Sequence, residues 1–395
     1  IFYPSIGLSG IISEMVKLPE FISYLKLRTS YTEVGSPITQ TGITPGTVTD
    51  PMSGGVINPI STYPYPDFKP ERTKSYEVGI NARFLNGRIS FDGTFYQSNT
   101  YNQTFLSVMS PATGYSGFYV QAGNVRNRGV EMTLGYNDTF GKVNYSTHLT
   151  YTANQNKIVE MVHDYRNPID NSLVNITELT LKEAGDVYLR EGYSMSDVFT
   201  TGILQRGRDG KLVEEGNGYQ VDRSQRIRLG SADPDFTMGW RHDINYKNIS
   251  LGLMITGRFG GIVTSQTQAF MDAFGVSKVS AEARDNGGVM LDGHRYDAER
   301  YYNTVGGQGL MSYYTYDATN VRLQELSLTY SLPKKWLGDV FNNATISFVG
   351  RNLFMFYRKA PFDPDMNGST GTYNRSDFFM APSLRNLGFS IKFSL

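Results

Sequence analysis

The chain contains no cysteine, which excludes a disulfide framework, a thiolate nucleophile, an iron–sulfur site and a cysteine zinc site. It has four histidines, and His148, His163, His242 and His294 show no metal-binding spacing such as His-x-x-x-His. It carries no net charge, with 37 basic and 37 acidic side chains, whereas a general nucleic-acid binder needs a basic excess. No apolar run approaches the ~18 residues of a membrane-spanning helix. No serine sits in a Gly-x-Ser-x-Gly elbow. The glycine-rich stretches 257–261 and 306–309 do not open a helix after a strand, as a phosphate-binding loop does. Asp209, Glu214, Glu215 and Asp222 are acidic, but sequence does not place two of them at a glycosidase separation, and loop solvation is their simplest role. The residues therefore offer no catalytic constellation, metal site or cofactor site, and the chain reads as a non-enzyme. It opens Ile1-Phe2-Tyr3-Pro4-Ser5, without Met or a signal peptide, and reads as a strand within a longer protein.

What is present is aromatic and periodic. The 395 residues include 27 Tyr, 23 Phe and 41 Gly, which is too aromatic for a disordered chain. Apolar residues recur every second position. Phe389, Ile391 and Phe393 alternate with Ser390, Lys392 and Ser394. Tyr76, Val78, Ile80, Ala82 and Phe84 alternate with Glu77, Gly79, Asn81 and Arg83. Val130, Met132, Leu134 and Tyr136 alternate with Glu131, Thr133, Gly135 and Asn137. Successive strand side chains point to opposite faces, so each segment has one apolar and one polar face. About twelve such segments lie near 4–16, 22–35, 70–85, 87–104, 120–137, 142–160, 193–205, 234–247, 248–262, 317–332, 343–357 and 381–395.

Most segments exceed the ~5–6 residues of ordinary strands and suit the ~9–11 needed to cross a bilayer at a tilt. Tight reversals at Asn86-Gly87, Gly141 and Lys247-Asn248 alternate with long connections near 36–69, 161–192, 206–233, 263–316 and 358–380. Short turns at one rim and long loops at the other are the layout of an antiparallel transmembrane β-barrel. The mean hydropathy of -0.34 fits, because each strand averages a lipid-facing and a wet stripe. Helical pattern is confined to a short stretch from Gln266 to Phe274, inside a long loop.

In a barrel, strand-end residues such as Tyr31, Tyr136, Tyr246 and Tyr330 would form aromatic girdles. The charged strand residues Arg28, Glu77, Arg83, Glu131, Arg241, Asp243 and Lys392 are expected to face the lumen, since each Arg or Lys at mid-bilayer would cost ~2–4 kcal/mol against lipid. Their expected role is mutual pairing, with substrate contact as the alternative. The loop aromatics Tyr63, Tyr65, Tyr115, Phe118, Tyr119, Tyr313, Tyr314 and Tyr316 either pack loop on loop or offer ring faces to a ligand or a lid protein.

Several stretches resemble SusC/RagA-like TonB-dependent outer-membrane transporters. They are Pro4-Ser5-Ile6-Gly7-Leu8-Ser9-Gly10, Tyr24 to Tyr31, Glu71 to Gly79, Gly123 to Glu131, Ala318 to Pro333, Gly350-Arg351-Asn352-Leu353-Phe354 and Asp363-Pro364-Asp365. They occur in the family's order and cover nearly the whole chain. The resemblance implies the C-terminal part of a 22-stranded barrel, with residues 1–395 forming part of its wall and the plug and TonB box lying outside this chain. It implies active import of an oligosaccharide or peptide across the outer membrane of a Gram-negative bacterium. The implied partners are a SusD-like surface lipoprotein, the TonB–ExbB–ExbD complex and outer-membrane lipid, with no nucleic acid.

Two departures stand out. Outer-membrane barrels commonly end in Phe as an assembly signal. Here the last alternating face is Phe389, Ile391, Phe393 and Leu395. The region 206–216 lacks the alternating oxygen ligands of the family's Ca²⁺-type loop, so no metal is expected there. A soluble all-β carbohydrate-binding protein or hydrolase is the alternative reading, and it requires both sheet faces to be covered. A barrel serving only as a receptor or assembly scaffold would share every feature named here.

Overall fold

A computed structural model describes residues 2–36, 47–50, 56–59, 62–63, 68–166, 172–181, 187–338, 340–365 and 376–394. Eleven strands form one antiparallel sheet in which each strand pairs with its sequence neighbours. They are β1 (Ser5–Ile11), β2 (Ile22–Ser36), β3 (Glu71–Phe84), β4 (Ile89–Tyr101), β5 (Asn124–Phe140), β6 (Val143–Glu160), β7 (Phe236–Tyr246), β8 (Ile249–Phe259), β9 (Asn320–Ser331), β10 (Asn343–Arg358) and β11 (Asn386–Ser394). This meander accounts for eleven of the alternating segments. The remaining one, near 193–205, forms strand Asp197–Leu204 but pairs with Val221–Ser231 in a separate hairpin. Alternation specifies a two-faced strand, and the partner is left to the chain around it.

The reversals alternate as the spacing requires. The turn at 85–88 puts Leu85, Asn86 and Gly87 in the left-handed region, and Gly141 (φ 62°) makes the next tight turn. Glycine suits such positions because it has no Cβ to clash there. The opposite rim carries the long excursions, which build structure of their own. Helices α1 (Gln266–Ala273), α2 (Lys278–Asp285) and α3 (Ala298–Val305) lie in one of them. Each is started by a side-chain cap, Ser265, Ser277 and Asp297, which accepts a backbone N–H of the first turn. The second is too polar to announce itself by periodicity, whereas the third buries Ala298, Tyr301, Tyr302 and Val305 at helical spacing.

The dry cores lie in these loops and where they pack on the long-loop ends of β5 and β6. One gathers Leu204, Leu212, Tyr301, Tyr302, Val305, Leu310 and Tyr314, and another Phe105, Val120, Ile158, Met161 and Leu189. The sheet itself exposes large apolar side chains across its whole width, including Leu27, Val78, Phe95, Leu134, Trp240, Leu328, Phe348, Phe389, Ile391 and Phe393. Cross-strand register places all of these on one face. Leu134, for example, is opposite Leu149, which is opposite Trp240. A patch crossing eleven strands far exceeds the few hundred Å² that a soluble monomer exposes.

Candidate functional site

The other face of the sheet is polar. Register puts Arg28, Glu77, Arg83, Glu131, Arg241, Asp243 and Lys392 all on it. Arg28 makes a two-pronged contact with Asp92 two strands away, at 3.1 and 2.8 Å, and also donates to Thr94 at 2.5 Å. Asn81 completes the group by donating to Asp92 at 2.8 Å. The residue between them on β3 is Gly79, and a Cβ there would meet the Arg28 side chain, so the missing side chain makes room for the guanidinium. A second group joins three strands, β7, β9 and β10. Arg241 holds Asp243 at 2.8 and 2.9 Å and approaches Glu325 at 3.8 Å, and Arg351 donates to Glu325 at 3.1 Å. Arg83 lies over the Tyr24 ring. Glu77, Glu131 and Lys392 share the face without an ion pair among the described residues.

These pairs are half-exposed, so each contributes little to stability on its own. They supply a polar, charge-balanced lining with a surplus of donors and acceptors. Asp92 belongs to it and lies outside every motif stretch, whereas Glu325 and Arg351 lie within two of them without being marked as facing this side. The signal available was their period-two parity with the residues that were so marked.

Three of the motif stretches meet at the long-loop end of β9. Residue 324 has no cross-strand partner, and residues 352–353 are likewise unpaired on β10. This double bulge keeps Arg322 and Glu325 on the same face although they are three apart. Arg322 is buried, its side chain only 7% exposed. It reaches Asp363 at 3.0 Å and Asp365 at 2.6 Å, and contacts Asn320 and Asn352. A buried guanidinium requires this many partners, and the cluster ties residues 363–365 down onto the sheet.

Beside the upper half of β6 lies a cleft of about 610 Å³ whose lining includes Asn154, Asn156, Tyr193, Asp197, Arg228 and Asp233. Arg228 donates to Asp197 at 2.8 Å and lies over the Tyr193 ring. That hydrogen bond to Asp197 raises the guanidinium pKa further. Asn156 accepts from Ser194 and from the Met195 backbone N–H, at 3.2 and 2.8 Å. The cleft offers amide, carboxylate and cationic groups together. Its residues come from three separate segments, which no local pattern links.

The loop aromatics do not converge on one surface. Tyr63 meets Tyr115 edge-on at 5.1 Å, Phe118 contacts Tyr165, and Tyr119 is buried against Phe68. The Tyr313 hydroxyl accepts the Leu204 N–H at 3.1 Å, Tyr314 is buried in the helical loop core, and Tyr316 packs on Phe362. Tyr65 lies outside the described residues. Tyr119 and Tyr314 are buried in loop packing, only 8% and 3% exposed. Burial pushes Tyr316 up to about 12 and also raises Tyr301, Tyr302 and Tyr314. Three of the acidic loop residues have structural partners, and Glu215 is exposed. Glu214 pairs with Arg300 at 3.2 Å, and Asp222 and Asp209 cap turns through backbone N–H groups.

The strand-end tyrosines lie on the apolar face near its two edges. Tyr31 meets Tyr76 at 4.8 Å near the long-loop rim, where Tyr151, Phe236 and Phe259 also stack in a row. Tyr136, Tyr145, His242 and Trp240 form a chain toward the short-turn rim. Tyr246 and Tyr330 both oppose Ile249 there. From Phe236 to Tyr246 is about 33 Å of strand at ~3.3 Å per residue. Tilted by ~40°, that spans roughly 25 Å, the height of an outer-membrane apolar band. Phe389, Ile391 and Phe393 extend this face onto β11, while Leu395 lies outside the described residues.

Residues 2–256 match the family described as TonB dependent receptor-like, beta-barrel. TonB-dependent receptor P3 of Formosa agariphila is 24% identical over 99% of this chain and 42% of its own length. TonB-dependent receptor P26 of the same organism is 25% identical over 92% and 39%. The chain thus spans about two-fifths of the relatives it matches. Both relatives carry the names of receptors, not enzymes. Among solved structures, that of the RagAB peptide transporter superposes with a TM-score of 0.72 at 17% identity, over 99% of this chain and 43% of the other. The RagAB peptide importer in its open-open state gives 0.71 at 18%, over 100% and 42%. At these identities the likeness is one of fold.

Proposed function

This chain belongs to the TonB-dependent receptor-like β-barrel family, and on that premise we propose that it forms wall strands of an outer-membrane importer. The observation that carries the reading is the two-faced meander. One face is an uncovered apolar band about 25 Å high between aromatic rows, which matches hydrocarbon. The other is a charge-balanced polar lining, which suits a hydrated interior. The long loops, with their own packed cores, then stand at the cell exterior, and the short turns face the periplasm. A soluble carbohydrate-binding protein or hydrolase would need its apolar face covered, and among the described residues nothing covers it.

The cargo we infer is an oligosaccharide or peptide too large for a simple pore. The SusC/RagA resemblance supports this, as does the shared fold with the RagAB peptide transporter. Paired Arg and Asp side chains and the amide-lined cleft beside β6 would exchange hydrogen bonds with such a ligand without holding it tightly. Energy would come from the TonB–ExbB–ExbD complex and capture from a SusD-like lipoprotein. The test begins with the full-length protein. It should require detergent and migrate faster on a gel before boiling than after. A deletion strain should lose growth on the cargo class, which separates an importer from a scaffold barrel. Detergent-free solubility with heat-insensitive migration would refute the membrane reading.

A further inference from the structure

Strands β6 and β7 separate at the long-loop end of the wall. Thr152, opposite Thr237, is the last residue of β6 that pairs with β7, although β6 runs on to Glu160. Asp235 would be the next residue of β7 to face β6. Its N–H instead bonds the Phe259 carbonyl on β8 at 2.9 Å, and Pro234 before it does not continue a strand. Further up, Ile158 finds a substitute partner. Its N–H donates to the Tyr193 carbonyl, and its carbonyl accepts from the Gly192 N–H, both at 2.8 Å. Residues 153–157 lie between these two closures.

Main-chain groups alternate sides along a strand, so Asn154 and Asn156 aim their N–H and C=O at the same edge as Ile158. Among the described residues, no main-chain group pairs with these four. They open into the cleft of about 610 Å³ that lies beside this half of β6. The two side chains are already engaged. The Asn154 carboxamide accepts from the Tyr96 hydroxyl at 3.1 Å, and that of Asn156 holds Ser194 and Met195. What β6 offers the cleft is therefore its bare backbone. The facing wall is fixed by its own bonds, Arg228 to Asp197 and the Ser196 hydroxyl to Asp233. Lys157 and Asp235 bring opposite charges to the same cleft. An exposed strand edge of this kind is a template for another extended chain.

Resting on the importer reading above, we propose that the open edge of β6 at residues 153–157 binds an extended peptide by strand addition, so that the cargo taken at this cleft is peptide and not oligosaccharide. The edge presents a paired N–H and C=O every second residue, ~6.6 Å apart. An extended peptide carries the same repeat and makes four main-chain bonds here, two to Asn154 and two to Asn156. A sugar chain has hydroxyls but no such repeat of paired donor and acceptor. The five open residues measure ~16 Å, room for about five residues of extended chain. Recognition through the backbone is indifferent to most side chains, and the flanking charges of both signs set no demand on net charge. The bonds are few and close to water, which suits a carrier that must let its cargo go.

The experiment uses the full-length protein in detergent and a capped hexapeptide of alternating serine and threonine, with maltohexaose as the oligosaccharide probe. Calorimetry reads affinity, and amide hydrogen exchange reads the site. The hexapeptide should bind and should slow exchange in the segment 153–157, whose cleft-facing amides are open without it. Methylating every second peptide nitrogen leaves one edge of the peptide free and should change affinity less than about twofold. Methylating every nitrogen removes both edges and should weaken binding at least about tenfold. N154P deletes one cleft-facing N–H at a position where an edge strand tolerates proline, and should weaken binding about tenfold. No binding by wild type, full affinity of the fully methylated peptide, or no added protection at 153–157 would overturn the proposal, as would unchanged affinity in folded N154P. Displacement of the peptide by equimolar maltohexaose would overturn the peptide assignment in favour of a glycan. Heat-shifted migration of wild type is checked in the same preparation. Its absence sinks the importer reading, whereas its presence without peptide binding sinks this inference alone.

Discussion

Adjacent residues Leu149 and Thr150 on β6 make the sharpest test of the two-faced sheet. Leu149 stands between Leu134 and Trp240 on the apolar face. Thr150 stands between Thr133 and Gly239 on the polar face. Tyr145 marks the short-turn aromatic row, and Gln155 the level where the apolar band ends. At ~3.3 Å per residue and ~40° tilt, Leu149 lies ~10 Å above Tyr145 and ~15 Å below Gln155, near mid-membrane. Arginine at Leu149 should therefore cost ~2–4 kcal/mol, a drop of roughly 30- to 900-fold in the folding equilibrium. Arginine at Val143, on the same face but at the rim, should cost ~0–1 kcal/mol. Arginine at Thr150 has the same depth but the opposite face, with room over the bare Gly239 backbone, and should cost under ~1 kcal/mol. Reversible folding of the full-length protein into lipid vesicles, followed by denaturant titration and gel shift, measures all three. Equal costs at Leu149 and Thr150, or a larger cost at Thr150, would refute the assignment of the two faces.

Other consequences follow from single sites. Replacing Arg322 with Met removes the cation that Asp363 and Asp365 share, and should cost ~3 kcal/mol and expose the segment near 359–365 to protease; a protease pattern identical to wild type would exclude the anchoring role. Gly129→Ala should destabilise by ~1–3 kcal/mol, because its Cβ would lie 2.5 Å from the Ala153 carbonyl and the Tyr96 hydroxyl. Gly388→Ala, with no atom nearer than 3.6 Å, should be near neutral, both read by the same denaturant titration. The buried loop tyrosines set an alkaline limit. Tyr316 is raised from 10.0 to about 12, so between those pH values the unfolded loop releases a proton that the folded one keeps. The stability of the helical loop core should hold below pH 10 and fall as pH rises toward 12, read by tyrosinate absorbance against loop proteolysis. Titration of all tyrosines together near 10 would refute the burial of this cluster.

Much of the fold was legible because a barrel wall repeats one local rule. Strand alternation needs only the chain's own parity, so the seven charged residues from Arg28 to Lys392 could be assigned to one face without knowing a single contact. Tight turns were readable at Asn86-Gly87 and Gly141, since glycine serves the left-handed conformations there. The segment near 193–205 shows where this stops. It alternates as well as any wall strand, yet Val221–Ser231 lies closer in the chain and captures it. The loop aromatics are not legible in this way, because a buried ring such as Tyr119 or Tyr314 looks the same in sequence as an exposed one. Helix α2 is illegible because it is polar and buries only Ser280, whereas α3 carries a readable stripe of Ala298, Tyr301, Tyr302 and Val305 that spans only two turns inside a long loop.

The sequence by itself determined the period, the parity and the alternation of short and long connections, because these depend on backbone geometry and nearest neighbours. Tertiary structure alone decided which charges meet. Arg28 finds Asp92 across two strands, Arg351 finds Glu325, and Arg322 finds Asp363 and Asp365 through a double bulge that shifts parity by one. Those encounters depend on register and on bulges, and a single residue of slip would send each side chain to the opposite face. A row of outward-facing cations near the long-loop ends of these strands has the same origin. Lys74, Arg126 and Lys157 are scattered through 84 residues of sequence and become neighbours only when β3 to β6 pair in this register.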